Sequence, residues 1–226
     1  MSVDPTPPEV RLGHVFRDRA LLAQALTHPS LRQEPDPPAT NQRLEFLGDA
    51  VLQLVLTEQL FQAFPGEREG ELSRLRATLA NGACLAGLAR EAGVDAALRL
   101  SPAEEATGGR ARPAALADAL EALLGAVFLE AGLEGARRAI HALYGPLGPR
   151  LAADEADNPK GRLQERIQPV HGNDALRYAV VATEGADHAR TFTVTVYLRD
   201  QPLGTGRGSS KQAAEKAAAR AALAAS

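Results

Sequence analysis

Tryptophan is absent from the 226 residues, cysteine and methionine occur once each, and aromatic residues make up only 4%. The lone cysteine, Cys84, cannot close an internal disulfide, which points to a reducing compartment. No stretch approaches the ~18 uninterrupted apolar residues of a membrane span, so no membrane association is expected. The opening MSVDPTPPEV has three prolines and no apolar run, which excludes a secretory signal and leads to the expectation of a cytoplasmic protein. Nor is there an excess of positive charge: the formal net charge is −3, which argues against a generic nucleic-acid binder. At 45% hydrophobic and 23% charged residues, the chain is a globular one, of one large or two modest domains.

The charge is unevenly spread. Residues 1–156 carry a net −6 and residues 157–226 a net +3, and all three lysines, Lys160, Lys211 and Lys216, lie in the later segment. An acidic body joined to a basic tail suits a metal-dependent enzyme fused to a polyanion-binding module.

Residues 9–148 read as helical. Ala/Leu-rich runs at 21–26, 44–61, 72–93 and 113–132 are longer than strands and bounded by Gly or Pro, with loops at 32–41, 64–70 and 101–112. The proline- and acid-containing stretch between 146 and 159 reads as a linker, so the predicted boundaries are 1–148, a linker at 149–157, and 158–226. After the linker the pattern changes. Asn158 and Pro159 can open a short helix that Pro169 would stop. Residues 176–184 and 191–198 alternate at period two, a short strand follows near 201–205, and 210–224 is helical by propensity. The predicted architecture is an all-α domain followed by a small α-β-β-β-α domain.

The position of the acids is the sharpest feature. Within 44–57 the only acidic residues are Glu45 and Asp49, four apart and on one helix face; within 114–129 the only charged residues are Asp118 and Glu121, three apart and again on one face. Neighbours such as Leu44, Phe46, Leu47, Val51, Leu116, Leu120, Leu123 and Leu124 predict that both helices are buried nearly all round. One acid pair at helical spacing is ordinarily a solvated face, and Asp118 and Glu121 also suit a helix N-terminus. Two such pairs, each alone in an apolar helix, point instead to bound cations. Oxygen ligands without His or Cys favour Mg²⁺ or Mn²⁺ over zinc, and such sites most often serve phosphate chemistry. Arg43, Arg110 and Arg112 are the nearest cationic side chains in sequence.

The segment NQRLEFLGDAVL (41–52) closely resembles the signature of bacterial ribonuclease III, the double-stranded-RNA endonuclease. ADALEALLGAVFLE (117–130), LSRLRATLAN (72–81) and LTHPSL (26–31) resemble further segments of that family. The resemblance implies an all-helical endonuclease domain, a double-stranded-RNA-binding domain and a homodimer. It places the metal-binding carboxylates on Glu45, Asp49, Asp118 and Glu121, with Asp49 and Glu121 catalytic. Glu69, in GEREGEL (66–72), matches a further acid of the family. The resemblance puts Phe46 at the subunit interface, whereas from its neighbours alone it reads as core. One departure falls inside the signature: the position that is commonly Glu is Gln42, and it is left out of the catalytic set.

In the tail, GTGRGSSKQ (204–212) reads as a glycine-rich turn opening a helix, where free N–H groups and Lys211 would make an anion site. It lacks the G-x-x-x-x-G-K-[ST] of a nucleotide loop. The α-β-β-β-α order with the run at 206–215 resembles the double-stranded-RNA-binding domain, which reads A-form shape through phosphate and 2′-hydroxyl contacts. That resemblance implies RNA contacts from Lys160, Gln164, Glu165, Gln168, His188, Ser210 and Lys211. Gln212 stands where a second Lys or Arg is usual, and Gly161 where Thr is frequent, so a shallower salt slope than that of a richly basic homologue is expected. The remaining histidines read as structural. His14, His141 and His171 have no spaced partners, and His28 suits a structural hydrogen bond. Without an H-E-x-x-H or a His-Asp pair, zinc-protease and His-Asp phosphohydrolase readings fail. Cys84 reads as core.

The expected protein is an endoribonuclease that uses Mg²⁺, with Mn²⁺ able to substitute. The resemblance implies that it is a homodimer, cuts both strands of double-stranded RNA, leaves 5′-phosphate and 3′-hydroxyl ends, and processes ribosomal, messenger and transfer RNA precursors. The alternatives are a catalytically inactive double-stranded-RNA-binding homologue and a helical phosphohydrolase acting on DNA.

Overall fold

The structure is a computed structural model that describes residues 6–33, 36–151, 158–172, 174–185 and 190–225. The chain divides into two compact units, Met1–Leu151 and Ala152–Ser226.

The first unit is helical: α1 (Pro7–Leu12), α2 (Arg19–Ala25), α3 (Gln42–Ala63), α4 (Glu69–Leu79), α5 (Gly82–Glu91), α6 (Val94–Ala97), α7 (Pro102–Ala106) and α8 (Pro113–Tyr144), with 3₁₀ turns at Pro29–Gln33 and Gly109–Ala111. At its centre is α8, against which α3 and α5 pack. From Ala115 to Val127 every residue of α8 is buried except Asp118 and Glu121, which are half-buried. Burial nearly all round thus holds for α8 over residues 115–127. It does not hold for α3. That helix lies on the outside of α8, burying Leu44, Gly48, Val51, Leu52, Val55, Leu56 and Leu60 and leaving Phe46, Leu54 and Phe61 exposed.

Several boundaries differ from the sequence reading for local reasons. The run 72–93 is two helices, because the Asn81 side chain accepts the N–H of Cys84 (2.8 Å) and starts α5 afresh. The run ending near 132 continues to Tyr144 after a kink at Gly132, whose φ of 67° is left-handed and favours glycine. The loop 101–112 contains α7, capped by Ser101, and a 3₁₀ turn. His14 does have a partner: its Nε2 lies 2.8 Å from Glu130, which also accepts the N–H groups of Arg17 and Asp18. Cys84 packs half-buried against the core, as expected.

The second unit runs α9 (Pro159–His171), β1 (Leu176–Glu184), β2 (Thr191–Leu198), β3 (Gln201–Gly208) and α10 (Lys211–Ala225), with an antiparallel sheet in the order β1-β2-β3. Pro169 does not stop α9; it sits in the last turn, and Gly172 closes the helix by donating to Gln168 O (2.9 Å). The core holds Leu163, Val194, Val196 and four alanines of α10. The predicted glycine turn is largely strand: Gly204, Gly206 and Gly208 all lie in β3. A Cβ at Gly206 would lie 2.1 Å from Ala218 N, and one at Gly204 or Gly208 would lie 2.5 Å from Ala222 N or Ala214 N. These glycines let the strand approach α10 closely.

Candidate active site

The site begins with a close crossing of two helices. A Cβ on Gly48 would fall 1.7 Å from the carbonyl oxygen of Glu121, and one on Gly125 would fall 2.2 Å from that of Leu44. Backbone therefore meets backbone where α3 and α8 cross, and the acids of each helix flank the crossing. Carboxylate oxygens of Glu45, Asp118 and Glu121 all lie within 4.8 Å of one another. Asp49 is outside that trio and accepts from Gln53 Nε2 at 3.3 Å. Its charge nevertheless reaches both Glu45 and Glu121.

Crowding shows in the proton affinities. Burial, then Asp118 and Asp49, raises Glu45 above the ordinary carboxylate range. Burial raises Asp118, with nearby His28 acting in the opposite direction. Burial, then Asp49, Asp118 and Glu45, pushes Glu121 up to about 7. The neighbouring arginines are engaged elsewhere. Arg110 pairs with Glu105 (2.5 Å) and donates to the carbonyls of Asp95 (2.6 Å) and Leu98 (2.8 Å), while Arg112 pairs with Glu104. Three acids gathered with no ion pair to an arginine among the described residues, and offering only oxygen donors, fit a hard divalent cation.

Glu69 starts α4 and is not one of the trio. It accepts from Ser73 Oγ at 2.9 Å and lines a cavity of about 450 Å³ with Thr57, Leu60, Phe61, Leu72 and Arg76. Gln42 is exposed at the start of α3. Phe46 is 82% exposed, which overturns its reading as core. Asn41, fully buried just before α3, has a side-chain amide with no hydrogen-bond partner among the described residues. Unpaired buried groups of this kind concentrate at functional sites.

In the second unit, Gln164 and Glu165 are exposed and Gln168 is half-buried along α9. Lys160 is held within the unit, 2.5 Å from Glu215 and 4.5 Å over the ring of Tyr178. Ser210 is exposed; its Oγ accepts the N–H of Ala213 (3.1 Å), so it caps α10, with Lys211 exposed in the first turn. His188 lies outside the described residues.

A family model described as ribonuclease-III-like matches residues 18–146, and one described as a double-stranded RNA binding motif matches residues 159–225. The Ribonuclease 3 of Pseudomonas aeruginosa strain LESB58 is 47% identical over 219 residues, covering 95% of this chain and 92% of the relative. That of Heliobacterium modesticaldum is 45% identical over 211 residues, covering 92% and 89%. Among solved structures, the nuclease domain of ribonuclease III from Campylobacter jejuni matches with a TM-score of 0.59 and 43% identity, covering 63% of this chain and 97% of that one.

Proposed function

The chain belongs to the ribonuclease III family, and from that premise we propose that it is a Mg²⁺-dependent, homodimeric endoribonuclease hydrolysing both strands of double-stranded RNA. It leaves 5′-phosphate and 3′-hydroxyl ends with a two-nucleotide 3′ overhang, and it acts in the cytoplasm on ribosomal precursors and on messenger, transfer and other structured RNAs. The observation that carries this reading is the trio Glu45, Asp118 and Glu121 with oxygens within 4.8 Å, gathered where two apolar helices cross.

Those three residues would hold the cation, with Asp49 adding charge and serving as a further ligand; Mn²⁺ fits the same donors. When bound, such a cation lowers the pKa of water and neutralises charge building on the phosphoryl group. The chain's own part is to fix the carboxylates before RNA arrives, because each stands on a rigid helix. At neutral pH Glu121, with its pKa near 7, is divided between protonated and charged forms until a cation is present. Glu69 would act as a secondary acid flanking the centre.

Dimerisation is supported by the outer face of α3, where Phe46, Leu54 and Phe61 are 82%, 54% and 70% exposed. Apolar residues repeated along one solvent-facing stripe mark an interaction surface. The Campylobacter jejuni nuclease domain is described by a region involved in dimer formation, and a second copy of this chain is the partner that fits. On the second unit, Gln164, Glu165 and Gln168 of α9 would reach the minor groove, with Lys160 as a further RNA contact. Ser210 and Lys211 would grip phosphates, and His188 would enter the next groove.

The test is a labelled RNA duplex incubated with wild type and with Glu121→Gln, in Mg²⁺ and in EDTA. Cleavage is expected only for wild type with Mg²⁺, while Glu121→Gln retains duplex binding. Binding by wild type without cleavage under any divalent ion would establish the inactive homologue instead, and cleavage of duplex DNA would favour the phosphohydrolase.

A further inference from the structure

Lys160 stands in the first turn of α9, just after Pro159, in a helix that Asn158 opens by accepting the N–H of Gly161 (3.1 Å). A positive charge at that end of a helix opposes the dipole and calls for an anion close by. Glu215, one turn into α10, supplies it: its Oε2 lies 2.5 Å from Lys160 Nζ. The pair ties α9 to α10, which pack against each other.

The ammonium is held from a second side. Nζ lies 4.5 Å over the ring of Tyr178 on β1. The Tyr178 hydroxyl is buried and has no hydrogen-bond partner among the described residues, so it is the ring face that engages the cation. Burial, then Glu215, pushes the phenol up to about 12, which keeps the ring neutral. Three elements therefore meet at one ammonium, and the two charged side chains are only 37% and 28% exposed. A pair so far withdrawn from water is screened less by salt than a surface pair. Lys211, by contrast, stands exposed in the first turn of α10.

We propose that Glu215 and Tyr178 are positioning residues that hold Lys160 back from duplex RNA, so that this lysine reaches a phosphate only by exchanging one anion for another. The inference rests on the reading of Lys160 as an RNA contact. Each lysine that neutralises a phosphate adds its share to affinity and to the salt dependence of binding. When Lys160 turns to a phosphate, Glu215 is left bare beside the RNA, and its repulsion offsets most of what the contact contributes. Glu215 thereby sets how tightly the second unit holds a duplex.

Duplex binding by the full chain, measured in EDTA from about 50 to 200 mM salt, tests this. Glu215→Gln keeps an acceptor for the ammonium and removes the charge. It is expected to bind about 3–10-fold tighter at the low-salt end, with a log–log salt slope steeper by about 0.9. On a Lys160→Met background the same substitution is expected to leave the slope unchanged, because the gain belongs to Lys160. Glu215→Asp keeps the charge but draws it back by one methylene; it is expected to steepen the slope by less, and it serves if the Gln variant fails to fold. A clamp that is only structural would lower the melting temperature and leave the slope where it is. Wild-type slopes in both Glu215 variants would thus overturn the inference; if Lys160→Met alone then weakens binding, Lys160 remains an RNA contact, and if it does not, that reading fails too. A gain that survives the loss of Lys160 would overturn both.

Discussion

Glu121 is where solution pH bears most directly on the molecule. Its pKa stands near 7 when folded, against 4.5 for the ordinary group, so without a cation the folded chain holds a proton that the unfolded chain releases. Stability tied to this residue is therefore full below pH 4.5 and declines as pH rises toward 7. Cation binding needs the charged form and runs the other way. Mn²⁺ affinity measured by calorimetry is expected to weaken about tenfold from pH 8 to pH 6, and Glu121→Gln in EDTA is expected to melt above wild type at pH 8 but not at pH 4. A flat Mn²⁺ affinity across that interval would contradict the crowding. At this scale the grouping of Glu45, Asp118 and Glu121 was legible because acids are rare among the apolar residues of 44–57 and 114–129; Asp49 shares the pattern but lies exposed outside the trio. Glu9 was not legible. It is wholly buried, held by Arg19 (2.5 Å) and by N–H groups of Thr6 (2.7 Å) and Phe16 (2.9 Å); burial raises its pKa, but these bonds outweigh burial and hold the carboxyl below its usual range. Glu9 sits in a helix of only six residues, and no periodicity in so short a segment marks it as interior.

Among the elements, the crossing of α3 and α8 decides whether there is a site at all. Gly48→Ala would drive a methyl group into the Glu121 carbonyl, and relief requires the helices to part. The substitution is expected to destabilise the first unit by about 3 kcal/mol and, by separating Glu45 from Asp118 and Glu121, to abolish cleavage even where the protein still folds. Gly87, mid-helix in α5 with nothing within 4 Å of an added methyl, supplies the control: Gly87→Ala is expected to stabilise by about 0.5–1 kcal/mol, measured by urea unfolding. Sequence alone does not separate these two glycines, because each is a helix-weakening residue in an apolar run. Only the partner helix gives Gly48 its meaning. The same reason underlies Phe46, whose apolar neighbours match those of a core residue although it lies on the outward stripe of α3. It also underlies the β3 glycines, whose spacing looks like a loop until α10 lies against them.

For the whole molecule, the proposed dimer rests on the exposed apolar stripe of α3. Wild type is expected to sediment as a dimer and Phe46→Glu as a monomer at the same concentration, with double-strand cutting lost and RNA binding kept; an unchanged dimer would remove the stripe from the interface. The α-helical and α-β-β-β-α organisation was readable because the switch from helical periodicity before residue 172 to two-residue periodicity at 176–184 and 191–198 is a property of local pattern. The two cores were not readable as different in kind. The first unit fills space with leucine, whereas the second presses a rank of glycines against a rank of alanines. Selection can therefore rewrite one side of β3 and not the other. Thr205 and Arg207 look outward, tied only by side-chain bonds, Thr205 to Thr195 (2.8 Å) and Arg207 to Thr193 (3.2 Å) and Glu184 (2.6 Å), while Gly204, Gly206 and Gly208 are fixed by backbone geometry, so any inherited change of RNA preference that arises in this strand must enter through its outward-facing positions.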